Sequence, residues 1–218
     1  MPIKSNREYR AMKLETRAIV EGSKERKVRG HFTTYNEPYL LWSYSEPGYL
    51  YEFWEQVDRE AFKDTDVSDV IFQYNHEGRV FARTANGTME LFEDEIGAGV
   101  EADLGGTEIG RQLWEEIDGK YTSKMSFGFT IAAQTREQTV EETDSLYKVV
   151  VLRTIKSVGK LYDVSAVSLP ANDNTDIASR SEKDGEIQKA LEEFKASRNK
   201  KIELARAKAL AKLKSMEV

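Results

Sequence analysis

A succession of short apolar or alternating segments, separated by turn-forming residues, most constrains the fold of this chain. Alternation of apolar and polar side chains with a period of two is typical of β-strands. We predict strands over 14–20, 28–35, 79–84, 89–92, 97–104, 125–132, 146–155 and 161–169, and a buried apolar run over 70–72. So many short strands favour a mainly β domain that closes, or nearly closes, into a small barrel, because closure removes exposed strand edges.

Turn and helix signals add detail to this prediction. Asn86-Gly87 stands between two alternating runs, which is the strongest short-range signal for a β-hairpin. The interval 107–119 predicts a helix, because its apolar residues recur at helical spacing between a threonine suited to the N-cap and a glycine suited to the stop. We expect an aromatic-rich loop over 38–47 and an exposed hairpin end over 134–144, while 51–62 fits either a strand or a short helix.

The ends of the chain differ in character from its centre. We expect residues 1–12 to form a polar leader, 13–175 to hold the predicted domain, and 176–185 to form a polar hinge. From 186 to 218 there is neither Gly nor Pro, and apolar residues recur near helical spacing, which predicts one long amphipathic helix. This helix either packs on its own domain, docks on a partner protein, or is removed by proteolysis.

Composition excludes several classes of protein. The 218 residues include no cysteine, so neither disulfides nor thiolate-bound zinc can form, and a reducing cytoplasm is the simplest setting. Residues 181–218 carry ten Lys or Arg and seven Asp or Glu, which gives this segment a net charge of +3. Because the formal net charge of the whole chain is −6, residues 1–180 have a net charge of −9. So acidic a body does not suit general nucleic-acid binding. We also expect no membrane span, no export signal, no metal and no cofactor, because no long apolar run, phosphate loop or calcium loop occurs.

Three residues suggest nucleophilic catalysis. Ser126 lies in the apolar run Ser-Phe-Gly-Phe, and a serine attacks a carbonyl at neutral pH only if a neighbouring base takes its proton. His76, which follows the apolar run over 70–72, is one of only two histidines and is suited to that task. Asp163, in an otherwise apolar strand, could orient the imidazole. A lone histidine is more often structural, and we assign that role to His31; Ser123 is the competing serine.

In this order, these segments resemble the prohead proteases of tailed bacteriophages, a family similar in fold to the herpesvirus assemblins. The resemblance runs from about residue 13 to about 175. The motifs that carry the resemblance are Gly30-His31-Phe32, Arg59-Glu60-Ala61-Phe62, Asn75-His76, Ser126-Phe127-Gly128-Phe129 and the block Asp163-Val164-Ser165 with Pro170-Ala171-Asn172. It implies an assemblin-type fold of the α+β class, mainly β with flanking helices, in which Ser126 is the nucleophile, His76 the base and Asp163 the third member.

The resemblance also carries expectations about substrate and setting. Gly128, which lacks a side chain, and Phe127 would contact the substrate strand, and backbone amides or Arg153 would form the oxyanion hole. The implied function is a serine endopeptidase that cleaves scaffold protein, the major capsid protein precursor and itself, inside the procapsid in the bacterial host cytoplasm. Self-association as a dimer or higher oligomer is expected. The alternative is a non-catalytic capsid-assembly protein of the same fold that interacts with scaffold.

Overall fold

A computed structural model of the chain describes residues 7–12, 17–19, 26–142 and 146–168, together with Ala196 and Lys200. The chain divides into two compact units, residues 1–176 and 177–218. Ala196 and Lys200 are the described residues of the second unit, and both are helical and exposed. Apart from them, the predicted hinge over 176–185 and the predicted amphipathic helix over 186–218 lie outside the described residues.

The described part of the first unit is mainly β-structure with one α-helix. The strands are β1 (Glu8–Met12), β2 (Arg17–Ile19), β3 (Lys27–Thr34), β4 (Tyr39–Glu46), β5 (Tyr49–Val57), β6 (Ile71–Tyr74), β7 (Glu77–Arg83), β8 (Met89–Glu93), β9 (Gly97–Asp103), β10 (Lys124–Glu142) and β11 (Tyr147–Val167). The helix is α1 (Glu108–Asp118), and a 3-10 turn covers Thr84–Asn86. The prediction of a mainly β domain is therefore confirmed.

Seven strands form the larger sheet, which is organised around the long antiparallel pair β10 and β11. β1 pairs with the first residues of β10 on its outer side. On the other side of β11, two parallel strands follow one another: β5 pairs with its first half and β6 with its last residues. β4 extends the sheet beyond β5, and β7 extends it beyond β6. One long strand therefore links the two regions of the sheet.

The smaller sheet has four strands in the order β2-β3-β9-β8, and the hydrophobic core includes side chains from both sheets. Phe32 of β3 lies with its ring centroid 5.4 Å from that of Phe127 in β10 and 5.7 Å from that of Phe62. Leu113 and Ile117 of α1 join this core. Each fully buried apolar side chain of this size contributes roughly 1.5–3 kcal/mol, so the packing of apolar side chains holds the domain together.

Within the described residues the sheets stay open, so the predicted closed barrel is wrong. β4 lies at one edge of the larger sheet, and β2 and β8 lie at the edges of the smaller one. Two sheets that share one core bury their apolar faces against each other, and this burial does not require closure by backbone hydrogen bonds.

The helix prediction is confirmed in type and position. Thr107 accepts a hydrogen bond from the Gly110 amide at 3.1 Å, as an N-cap should, and Gly119 is the C-cap. Leu113 and Ile117 of this helix are buried, in agreement with the predicted apolar face. Helical spacing between clear capping residues therefore sufficed to define this element.

The hairpin predicted at Asn86-Gly87 is wrong, although the turn itself is present. Gly87 has a φ of 73°, which glycine adopts without strain. However, β7 pairs with β6 and β8 pairs with β9, so the turn carries the chain from one sheet to the other. Local turn chemistry fixes the reversal of the chain, but the neighbours available in each sheet decide which strands pair.

Four further segments differ from expectation or settle an open choice. The interval 38–47, expected as a loop, contains β4, and 51–62 contains most of β5, whose side chains are alternately buried and half-buried. Of the expected hairpin end over 134–144, residues 134–142 are exposed and form paired strand. The segment 1–12, expected as a polar leader, contains β1. In each case pairing with a neighbouring strand decided the structure of a polar or aromatic segment.

Candidate active site

His76 lies in the tight turn that joins β6 to β7. Asn75 and His76 have φ values of 51° and 59°, and the flanking residues Tyr74 and Glu77 pair with each other. Two successive positive φ values are the mark of a type I′ hairpin turn, in which asparagine is favoured and a non-glycine second residue is strained. Strained backbone of this kind concentrates at functional sites, which makes the placement of His76 informative.

The turn is fixed to the end of β11 by hydrogen bonds. The Asn75 amide donates to the Ala166 carbonyl at 2.9 Å, and the Asn75 side-chain oxygen accepts from the Ser168 amide at 3.0 Å. The parallel pairing of β6 with β11 sets Tyr74 opposite Ala166. These contacts determine where the imidazole of His76 lies relative to β11.

Alternation along β10 separates a polar face from an apolar face. Phe127 and Phe129 are fully buried in the core, whereas Ser126 and Gly128 point to the opposite face. The register sets Ser126 opposite Ser165 and Gly128 opposite Asp163, and directly opposed residues share a face. Ser126 and Asp163 therefore lie on the same face of adjacent strands, offset from each other by two residues.

The structure brings His76, Ser126 and Asp163 together in one hydrogen-bonded chain. His76 Nδ1 lies 2.5 Å from Asp163 Oδ1, and His76 Nε2 lies 2.5 Å from Ser126 Oγ. With Nδ1 protonated and donating to the carboxylate, Nε2 is left free to accept the hydroxyl proton. Asp163 is 1% exposed and Ser126 2% exposed, while the His76 side chain keeps 17%. Such an arrangement can activate a hydroxyl for attack on a carbonyl.

Gly128 and Phe127, expected to contact substrate, have other surroundings in the structure. A Cβ on Gly128 would lie 2.2 Å from Asp163 Oδ2 and 2.7 Å from Tyr9 Cε1, so the absent side chain leaves room for this carboxylate and this ring. β1 and β11 flank Gly128 on both sides, and Phe127 is completely buried. This geometry supports a structural role for both residues, and substrate contact by them stays a prediction.

Sequence reasoning missed two residues that contact the candidate triad. Tyr9 of β1 packs against the imidazole of His76, with ring centroids 4.4 Å apart. Ser165 of β11 donates a hydrogen bond to Asp163 Oδ1 at 3.0 Å, and its Oγ lies 3.2 Å from His76 Nδ1. No sequence pattern pointed to Tyr9, because it falls in a polar segment far from the motifs. Ser165 could have been found, because it stands two residues after Asp163 and so faces the same way.

A buried cluster of charges holds β1 in place. Arg10 Nε donates to Glu55 Oε1 at 2.5 Å, Arg153 forms an ion pair with Glu55, and Tyr39 donates to the same carboxylate. Arg153 also donates to Glu8 at 3.0 Å. Burial alone would raise the pKa of Glu55, but the two guanidinium groups outweigh it and lower the pKa to about 2. Glu55 therefore stays ionised at neutral pH.

This cluster also bears on the oxyanion hole. Arg153, one candidate for it, directs its guanidinium to Glu55, Glu8 and Gln134, none of which belongs to the candidate triad. The geometry therefore favours backbone amides over Arg153 as oxyanion donors, and the assignment stays a prediction.

The competing residues lie apart from this arrangement. His31 Nε2 lies 2.9 Å from both carboxylate oxygens of Asp94, on the smaller sheet, and its ring contacts Phe92 edge-on. The hydrogen bond with His31 is the main cause that lowers the pKa of Asp94 below its ordinary value. Ser123 is exposed and precedes β10. Among the residues that the structure describes, no helix is long and apolar enough to cross a membrane, and no group of three acidic or histidine side chains is placed to hold a metal ion.

Comparison with known proteins identifies the family. No curated protein and no solved structure matches the chain. The model of the caudovirus prohead serine protease family matches residues 12–190 of the 218, most of the chain. This confirms the family resemblance found in the motifs. The chain belongs to the family of caudovirus prohead serine proteases, whose role is that of a capsid-maturation protease.

Proposed function

We propose that the protein is a serine endopeptidase that cleaves scaffold protein and the precursor of the major capsid protein inside the phage procapsid, and that it also cleaves itself. One observation carries the assignment of its catalytic residues: the unbroken hydrogen-bonded chain from Asp163 through His76 to Ser126. Membership of the prohead protease family supports the substrate class and the setting within the host cell.

In the proposed mechanism, Ser126 Oγ attacks the carbonyl carbon of the scissile peptide bond while His76 Nε2 takes its proton. Asp163 keeps Nδ1 protonated and stabilises the imidazolium that forms. Collapse of the tetrahedral intermediate breaks the C–N bond, and His76 gives the proton to the leaving amine. A water molecule then attacks the acyl group on Ser126, with His76 again as the base, and releases the carboxylate product.

The burial of the site supports this assignment. Asp163 and Ser126 are shielded from water, so the hydrogen bonds between them and His76 are stronger than they would be at the surface. The His76 side chain keeps 17% of its surface exposed, so the site is in contact with solvent at this residue. Geometry of this kind is what a nucleophile and its base require before a substrate arrives.

Labelling with a phosphonofluoridate tests the proposed chemistry directly. This reagent reacts with a serine only when a neighbouring base activates its hydroxyl, so we expect one label, mapped by peptide mass analysis to Ser126. Ser126→Ala should abolish labelling, and Ser123→Ala, which alters an exposed serine, should leave it unchanged. A label on Ser123, or none at all, would overturn the assignment, and the absence of any label would favour the non-catalytic assembly protein.

Coexpression with candidate substrates tests the cleavage itself. We expect the wild-type chain to convert the capsid precursor and the scaffold to shorter products, and Ser126→Ala to leave both intact.

Mass measurement of the wild-type and Ser126→Ala chains after purification tests self-cleavage, because only the active chain should be shortened. Equal masses would contradict self-cleavage without affecting the cleavage of other proteins. Sedimentation of the Ser126→Ala chain tests the expected self-association.

A further inference from the structure

Ser165 is a buried polar side chain that the proposed mechanism leaves without a role. It is 0% exposed and lies on β11 directly opposite Ser126 of β10. Among the described residues, the two hydrogen-bond partners of its hydroxyl are Asp163 and His76. A buried hydroxyl without a partner costs free energy, so both contacts matter to the fold or to the site.

The protonation state of His76 fixes the direction of the hydrogen bonds that Ser165 makes. In the tautomer that leaves Nε2 free, His76 Nδ1 carries a proton and cannot accept one from Ser165. The Ser165 hydroxyl therefore donates to Asp163 Oδ1, 3.0 Å away, and its oxygen lies 3.2 Å from the protonated nitrogen Nδ1. Asp163 Oδ1 then accepts two hydrogen bonds at once, one from each partner.

The second carboxylate oxygen occupies space that Gly128 leaves free. A Cβ on Gly128 would lie 2.2 Å from Asp163 Oδ2, so a side chain at this position would displace the carboxylate. The carboxylate is thus held at Oδ1 by Ser165 and His76, while Gly128 leaves the space that this orientation needs at Oδ2. Rotation about its Cβ–Cγ bond would break the Ser165 hydrogen bond and move Oδ1 away from His76.

We propose that Ser165 is a positioning residue that holds the Asp163 carboxylate, and through it the His76 imidazole, in the reactive orientation. The contacts of its hydroxyl run to Asp163 Oδ1 and His76 Nδ1, and neither is the atom that attacks the substrate or the atom that takes the proton from Ser126. This inference rests on the proposed function, since it needs Asp163 to orient a base that activates Ser126. The hydroxyl, rather than the volume of the side chain, is the active part.

A double-mutant cycle on the full chain tests this role, with the rate of phosphonofluoridate labelling at Ser126 as the readout. Ser165→Ala should slow labelling about tenfold in the otherwise wild-type chain. In a chain that already carries Asp163→Asn, the same change should have less than a twofold effect, because the group through which Ser165 acts is altered. A merely structural role predicts equal losses in both backgrounds, and that result would overturn the inference.

Further measurements separate failure of this inference from failure of the proposed function. If wild-type protein is labelled at Ser126 and Ser165→Ala is labelled at the same rate, only the role of Ser165 is lost. If wild-type protein is not labelled, the proposed function fails first. Ser165→Thr keeps the hydroxyl and should restore most of the rate, while Ser165→Cys keeps the volume and should not. Should the alanine variant fail to fold, wild-type labelling of the cysteine variant would equally overturn the inference.

A spectroscopic signature gives an independent reading of the same geometry. The proton on His76 Nδ1 should give a downfield NMR resonance, and a His31→Gln background removes the only other histidine. Ser165→Ala should shift this resonance and speed its exchange with water, because the carboxylate that holds the proton is freed. An unchanged resonance in Ser165→Ala would count against the proposed positioning.

Discussion

Two buried polar clusters lie on the larger sheet, and β1 contributes to both of them. Tyr9 packs against His76 in the candidate triad, while the next residue, Arg10, points to the other face and pairs with Glu55. In the ion cluster every charge is matched, because the two cations Arg10 and Arg153 each pair with the two anions Glu55 and Glu8. In the triad His76 Nε2 faces a hydroxyl that it can deprotonate. A buried polar cluster whose charges are all paired can stabilise the fold, whereas a cluster that places a base beside a hydroxyl can also do chemistry.

The largest expected effect separates the two clusters by activity. Ser126→Ala and His76→Ala should each reduce turnover by about a millionfold, because nucleophile and base act as a unit. Asp163→Asn should reduce it by about ten-thousandfold, because the attacking pair stays in place with the wrong tautomer. Cleavage of a coexpressed capsid precursor gives the readout.

The controls for this prediction use the residues outside the site. Ser123→Ala and His31→Ala should keep most activity, since neither side chain contacts the triad. The denaturation midpoint of Ser126→Ala should stay close to that of the wild type, because a small hydroxyl is lost without opening the core. Unaltered turnover in Ser126→Ala would remove the distinction between the clusters.

The second prediction concerns stability. Glu55→Gln removes the anion between two buried guanidinium groups, so we expect the free energy of unfolding to fall by about 3–5 kcal/mol. Urea denaturation at neutral pH measures this change. Labelling of the folded variant at Ser126 should continue, because the triad itself is intact.

Glu52→Gln supplies a matched control for Glu55→Gln. Glu52 lies on the same strand but on its other face, where it pairs with Lys148 at 3.2 Å in a partly exposed site. Its loss should cost about 1 kcal/mol or less. If Glu55→Gln and Glu52→Gln unfold at the same urea concentration, the buried cluster does not anchor the fold.

The third prediction extends the comparison to pH. Because the folded pKa of Glu55 is about 2 and its ordinary value is 4.5, its contribution to stability is complete above pH 4.5 and is lost as the pH falls towards 2. The full loss should be about 3 kcal/mol, of which about 2 kcal/mol falls above pH 3. Other carboxylates titrate in the same range, so the wild type is compared with Glu55→Gln from pH 6 to pH 3. Parallel curves for the two proteins would contradict the assigned ion pairing.

The smallest expected effect tests what Gly128 does within the triad region. Gly128→Ala places a methyl group on the Asp163 carboxylate and should displace it, which lowers the labelling rate of Ser126 by about a hundredfold. Gly106→Ala is the control, since a Cβ there meets nothing within 4 Å. If Gly128 instead makes room for substrate, labelling by the small reagent should be unaffected, and only the KM for peptide cleavage should rise.

The sequence was most informative where the chemistry is local. Asn75-His76 and Ser126-Phe127-Gly128 indicated the family, and capping residues together with helical spacing defined α1. It was least informative where a segment's structure depends on a distant neighbour. β4 is a strand because β5 lies beside it, and β1 because β10 offers an open side, although neither segment has a clear pattern of its own.

What the sequence determined by itself is the set of groups that can react: one serine in an apolar strand, one histidine that follows an asparagine at the end of an apolar run, and one aspartate two residues before a serine. The tertiary structure decided which of these groups meet. The parallel pairing of β6 with β11 and the register of β10 with β11 bring residues 76, 126 and 163 within hydrogen-bond distance. Such register depends on side-chain packing between strands far apart in the chain, which a local pattern does not encode.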